Sequence, residues 1–418
     1  MNKETGEGQH MDDPSLGFET RAAQAGGRTR VAETVSTVAP IAASSTFTYD
    51  SVDEVHAALA SGGEGYAYSR NANPTVASLE SVLASLEEAD AVVAFGSGMA
   101  AMHTAFVSVG LEAGDSVLVA SDLYGVTRSL MVHLQQFGIE HSSVDILDLE
   151  HVERALERTN ARVLCFESIS NPLLRVPNIG ELVRIAHAHR ALVIVDNTFA
   201  SPYLFQPIKL GVDLIVHSAT KYVAGHGDVT AGYVATNRSF AKRMRETRTV
   251  IGSVLSPFEA WLTIRGVKTL PLRMERQCAS AAEIANWLQN QEWVSRVYYP
   301  GLSGGEEQEH ARRWFGARYG GMVAFDLRAD EPGTLRFMDA LEIITSATSL
   351  GDAMSLILYP KLSSHRTLPP SDRQRAGIGD SLLRLSVGLE APEDLIRDLE
   401  RAASRAGITE AATALLAP

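Results

Sequence analysis

The stretch VDLIVHSATKYVAGHGDVTAG, residues 212–232, decides the fold. It begins as an apolar run, Leu214-Ile215-Val216, that reads as a buried strand. The run then gives way to small and hydroxyl residues, Ser218-Ala219-Thr220, followed by Lys221 and a glycine-rich turn through Gly225 and Gly227. A lysine leaving a buried strand either packs its stem on the sheet or acts as an amine whose surroundings lower its pKa. The hydroxyls beside it favour a bound anion nearby.

Upstream, the same strand-then-turn pattern repeats. VASLESVLASLEEA reads as a helix, AVVAF as a buried strand, and GSGMAAMHTAFVSV as a turn and helix. DSVLVAS, ARVLCFES and ALVIVDN are strands, the last two flanking the helical GELVRIAHAHR, and AGYVAT is a further strand. Strands that alternate with helices and are apolar on both faces predict a largely parallel sheet covered by helices. Near 255–275 the chain turns long and helical, and the strand-like GMVAFDL and LLRLSVGL follow. The expected organisation is α/β: an N-terminal leader and arm over 1–65, a large domain over 66–265, and a smaller α+β domain over 266–418.

With 45% hydrophobic and 21% charged residues, the 418-residue chain has the composition of a globular protein. No apolar run approaches the roughly 20 residues a membrane span needs, and residues 1–16 lack the apolar core of a secretion signal. A formal charge of −13 argues against a nucleic-acid partner. Cys165 and Cys278 form no metal-binding spacing, so no metal site and a cytoplasmic location are expected.

Three positions carry candidate chemistry. Phe95-Gly96-Ser97-Gly98-Met99 ends a strand and opens a helix, whose N-terminal N–H groups suit a phosphate, although many plain strand–helix turns share the pattern. Asp196 ends the apolar strand ALVIVD, where a carboxylate serves equally as a helix cap or as a ligand group. Lys221 is the third. A phosphate site, a carboxylate and a lysine at strand ends together suit pyridoxal 5′-phosphate (PLP), which needs a lysine to hold its aldehyde as an imine and an acid for its ring nitrogen.

The motifs HSATKY and GHGDVTAG, with YSRNANPT, GSGMAAM, DLYG, SNPLL, VDNTFASPYL, RGVKTLPLR, SLGD and LRLSVGLE, resemble the Cys/Met-metabolism PLP enzymes of fold type I from about residue 17 to 404. The resemblance implies that Gly98, Met99, Ser218 and Thr220 bind the phosphate, with Tyr68 and Arg70 reaching it from a neighbouring subunit. It implies a homotetramer, a dimer of dimers, with shared active sites. Tyr124 would stack on the ring and assist proton transfer, Asn171 would contact the ring hydroxyl, and Asp196 would hold the ring nitrogen's proton. Arg384 would clamp the substrate carboxylate and Ser349 would position the substrate, while His217 and Cys165 are read as core.

Local wording is most similar to the methionine γ-lyase branch. This implies γ-elimination from a γ-substituted L-amino acid, releasing a 2-oxo acid and ammonia through quinonoid and vinylglycine-type intermediates. Thr348, where cystathionine lyases commonly carry a glutamate, argues against a substrate with a distal ammonium. Val126 and Thr249 depart from the methionine γ-lyase pattern, which leaves open another γ-substituted substrate or γ-replacement of the cystathionine γ-synthase or O-acyl-homoserine sulfhydrylase type. A non-catalytic scaffold would be expected to lose Lys221, Asp196 or Arg384, and all three are present.

Overall fold

The computed structural model describes residues 15–27, 29–31, 34–60, 65–302, 304–366, 373 and 376–409. Most of the 1–16 leader lies outside them. Contacts group the chain into two compact units, one of Met1–Leu111, Asp213–Ala224 and Asp228–Pro271, the other of Glu112–Val212, Gly225–Gly227 and Leu272–Pro418.

In the first unit the strand Gly232–Thr236 pairs antiparallel with both Ala91–Phe95 and Leu214–His217. The sequence pattern anticipates these strands within a largely parallel sheet; the strands Ser116–Ala120, Glu140–Val144, Val163–Glu167 and Leu192–Asp196 pair in parallel, and Gly232–Thr236 is the local exception. The apolar runs are the same in either case; orientation depends on where the chain returns, and here it doubles back between Lys221 and Gly232. The helix Pro74–Glu87 starts on the side chain of Asn73, which accepts from Thr75 N, with proline at the first helical position. The helices Gly98–Ser108 and Arg238–Ile251 are capped in the same way by Ser97 and Asn237. The buried faces include Leu79, Leu83, Leu86, Phe95 and Phe106.

The second unit contains a parallel set of strands, Leu192–Asp196, Val163–Glu167, Ser116–Ala120 and Glu140–Val144, paired in that order. Each is linked to the next in sequence by a helix, Gly125–Gln135, Leu149–Thr159 or Ile179–Ala188. Glu140–Val144 is polar and half-exposed, which hides it from hydropathy. The same unit carries a five-stranded sheet, ordered Val294–Tyr298, Met322–Leu327, Leu382–Ser386, Leu356–Leu358 and Thr345–Ser346. Its core brings together Trp293, Phe325, Phe337, Leu383, Leu385 and Leu399. Burying each such side chain contributes about 1.5–3 kcal/mol.

Among the described residues, no helix is long and apolar enough to cross a membrane. No group of three or more His, Cys, Asp or Glu side chains could hold a metal ion among them.

Candidate active site

The first unit presents an anion cradle and the lysine. The strand Ala91–Phe95 ends in a turn where Ser97 Oγ accepts from Ala100 N at 3.1 Å and opens the helix Gly98–Ser108. A Cβ on Gly98 would lie 2.8 Å from Ser218 Cβ. Only glycine therefore lets the residue after Leu214–His217 approach this helix N-terminus, where unpaired N–H groups favour an anion. Met99 follows in the same helical turn. Lys221 N donates to Ser218 O at 3.1 Å, which curls the chain immediately after the strand. The Thr220 hydroxyl donates to Ala231 O at 3.1 Å and accepts from Ala231 N at 3.0 Å. It thereby ties the lysine turn to the returning strand, and its single proton is engaged with that carbonyl.

Tyr68 and Arg70 lie in the same unit on an exposed loop held at its base. Ser69 N donates to Ser45 O at 2.9 Å, Asn73 Nδ2 to Ala42 O at 2.8 Å, and Arg248 Nη2 to Asn71 O at 3.3 Å. The Arg70 guanidinium sits 5.3 Å from the Tyr68 ring centroid, and both side chains face outward.

The second unit gathers a different set. Glu167 and Asp196 end neighbouring parallel strands in register. Asp196 Oδ1 accepts from Thr198 N at 3.0 Å. Glu167 accepts from Tyr124 N at 2.9 Å with one oxygen and from Asn171 N at 2.8 Å with the other. Burial, and then the Asp196 charge, push the Glu167 carboxyl well above the usual range, while the two N–H groups pull it back down. Burial is also the main reason the Tyr124 phenol is raised; Arg384 opposes it, and the charges of Glu167 and Asp196 add to it.

Arg384 is 3% exposed on the strand Leu382–Ser386. Its Nη1 donates to Asn171 Oδ1 at 2.7 Å and its Nη2 reaches Ser349 O at 3.5 Å. The Phe199 ring centroid lies 5.7 Å from the guanidinium. Gly351 N donates to Ser386 Oγ at 2.8 Å, which pins the Thr348–Ser349 loop to the arginine's own strand. Thr348 and Val126 are exposed. Tyr124, Asn171, Ser349 and Arg384 are thus linked by hydrogen bonds, whereas Val126 joins them only through its place after Tyr124 and Gly125.

His217 and Cys165 are fully buried. His217 Nε2 lies 2.8 Å from Glu87 Oε1, and its ring stacks on Tyr233 at 4.6 Å. Glu167 went unmarked in the sequence reading, although a carboxylate closing the apolar run Val163–Phe166 is the same signal that singled out Asp196. His365 was also missed. It is buried beside Arg384 and Arg128, which together with burial lower it to about 4.

These residues fit PLP. A glycine-tight helix start with hydroxyls beside it suits a phosphate, carboxylates at strand ends suit a protonated ring nitrogen, and a buried arginine suits an amino-acid carboxylate. The fold and these groups define an α/β enzyme that uses PLP on amino acids. Residues 19–404 match the family described as Cys/Met metabolism PLP-dependent enzyme, and the chain belongs to it. It is 42% identical over 368 residues to the L-methionine gamma-lyase of Pseudomonas putida, covering 87% of this chain and 92% of that protein. It is 45% identical over 339 residues to the cystathionine beta-lyase of Lactococcus lactis subsp. cremoris, covering 81% and 88%. Its structure is similar to that of cystathionine gamma synthase from Xanthomonas oryzae pv. oryzae, with a TM-score of 0.88, 34% identity and coverage of 94% of this chain and 99% of that one. The fold is accordingly fold type I, and the cofactor is PLP.

Proposed function

We propose that this enzyme catalyses γ-elimination on an L-amino acid with an uncharged γ-substituent, as a methionine γ-lyase does. The arrangement that carries the reading is Arg384, buried and hydrogen-bonded to Asn171 beside Ser349 in a chain closely related to L-methionine gamma-lyases. The cofactor, when bound, supplies an electron sink conjugated with the amino acid's Cα. Lys221 holds the cofactor and afterwards carries protons between Cα and Cβ with its amine. Asp196 keeps the proton on the ring nitrogen. Tyr124 packs against the ring and assists proton transfer, and Asn171 contacts the ring hydroxyl. Arg384 grips the substrate carboxylate, because a planar guanidinium matches two oxygens at once. Gly98, Met99, Ser218 and Thr220 hold the phosphate; for Thr220 this requires its hydroxyl to turn from Ala231 O.

The exposed Tyr68–Arg70 pair serves the phosphate of a neighbouring subunit, with the 1–65 arm reaching toward it. The working assembly is then a homotetramer in the cytoplasm, with 66–265 binding the cofactor and 266–418 forming the smaller domain. Neutral, exposed Thr348 and Val126 suit an uncharged γ-group.

PLP-saturated enzyme should absorb near roughly 420 nm, and borohydride should fix the cofactor on Lys221. Incubation with L-methionine, cystathionine, O-acetylhomoserine or O-succinylhomoserine, with and without an added thiol, separates the reactions. Release of 2-oxobutyrate, ammonia and a thiol from methionine alone is the expected result. Turnover confined to acyl-homoserine plus thiol overturns elimination in favour of replacement.

A further inference from the structure

We infer that Glu167 is the positioning residue of this site: its one carboxylate clips together the backbone segments that carry Tyr124 and Asn171. One oxygen accepts from Tyr124 N at 2.9 Å and the other from Asn171 N at 2.8 Å. The connection continues from Asn171 Oδ1 to Arg384 Nη1 at 2.7 Å, and from Arg384 Nη2 to Ser349 O at 3.5 Å. A buried side chain that holds no substrate atom thus links the residue proposed to stack on the ring with those proposed to hold the substrate's carboxylate. The inference rests on the functional reading above and adds to it the source of the site's alignment.

The arrangement demands a carboxyl group, whose two oxygens both accept. Tyr124 stands at the start of the helix Gly125–Gln135 with no side-chain cap, so its N–H is served by Glu167. Asn171 N lies in the turn after Val163–Glu167 and points at the second oxygen of the same group. Glu167 is 6% exposed, which leaves water little chance to replace it. Glutamine offers one acceptor and one NH₂, so one of the two N–H groups would face another donor and its segment must move. Aspartate keeps both oxygens but is one methylene shorter. A displacement of about 1 Å at a reacting group costs on the order of 100-fold in rate.

The test compares PLP-loaded wild type, Glu167→Gln and Glu167→Asp with Asp398→Asn. Asp398 is a buried carboxylate that likewise accepts backbone N–H groups, those of Glu342, Ile343 and Ile344, and so controls for a merely structural role. The readings are kcat and KM for L-methionine, and visible circular dichroism per mole of bound cofactor. A fall in kcat/KM on the order of 100-fold in Glu167→Gln, a smaller fall in Glu167→Asp, and a changed dichroic band are expected. Asp398→Asn should stay within about threefold of wild type. If Glu167→Gln does not accumulate as folded protein, Glu167→Asp supplies the same readings. Glu167 variants that match wild type in kcat, KM and dichroism overturn the inference. Wild type that binds PLP but eliminates nothing from any amino acid overturns the functional reading instead, and the dichroic comparison still decides the role of Glu167.

Discussion

Replacing Arg248 with methionine should unsettle the base of the Tyr68–Arg70 loop, and the expected cost follows from the contacts. Arg248 is 4% exposed on the helix Arg238–Ile251. Its Nη1 donates to Glu80 Oε1 at 2.7 Å and to Ala94 O at 2.9 Å, and its Nη2 to Asn71 O at 3.3 Å. Glu80 also accepts from Ala94 N at 2.9 Å and meets Arg245 at 3.4 Å, but the Arg245 side chain is 43% exposed. Methionine fills much of the same volume while leaving Glu80 with only that half-exposed cation and depriving two carbonyls of a donor. Removing one partner of a buried ion pair costs about 3–5 kcal/mol. Because Arg245 remains, the lower end applies, about 3 kcal/mol, or a fall in Tm of roughly 3–4 °C for a chain of 418 residues.

The assay is thermal unfolding at one scan rate with PLP saturating, on Arg248→Met, Glu80→Gln and the double variant. Glutamine at position 80 still accepts from Ala94 N but carries no charge. The double variant should therefore be more stable than Arg248→Met alone, by about 1 kcal/mol or more. Arg248→Met melting within 1 °C of wild type, or two strictly additive losses, would refute the reasoning (approximate thresholds from the same scaling).

Glycine positions offer a second check. Gly225 has φ +67° and a Cβ there would overlap the Arg273 guanidinium, whereas Gly110 has φ +78° with nothing within 4 Å. Gly110→Ala should cost only backbone strain, about 1–2 kcal/mol, and Gly225→Ala clearly more, both read as shifts in unfolding midpoint. His365 gives a pH dependence. Burial, Arg384 and Arg128 lower it to about 4, so between pH 4 and its ordinary value near 6.5 the unfolded chain binds the extra proton. Its contribution to stability is complete above about 6.5 and declines as pH falls toward 4. His365→Gln should flatten that part of the stability–pH curve, and an unchanged slope would contradict the assignment.

Much of the candidate site is legible in the sequence because its signals are local. The glycine turn that opens the helix at Gly98, the hydroxyls before Lys221 and the acid ending Leu192–Asp196 each require only a strand exit and the residues beside it. Arg384 is a cation within the apolar strand Leu382–Ser386, and only the fold sets Asn171 and the Ser349 carbonyl against it. Glu167 carried the same signal as Asp196 and was passed over. Nothing in VLCFES shows that one carboxylate serves N–H groups at positions 124 and 171.

The sequence by itself determined the apolar strands, the helices between them and the residue types for binding a phosphorylated, ring-bearing cofactor, because hydrophobic period acts over a few residues. Tertiary structure alone decided that Gly232–Thr236 pairs antiparallel on both sides, that Thr220 spends its proton on Ala231 O, and that Glu167 joins Tyr124 to Asn171. Those outcomes depend on which distant backbone groups are buried together, since a buried N–H or carboxylate takes whatever partner the folded chain brings within reach.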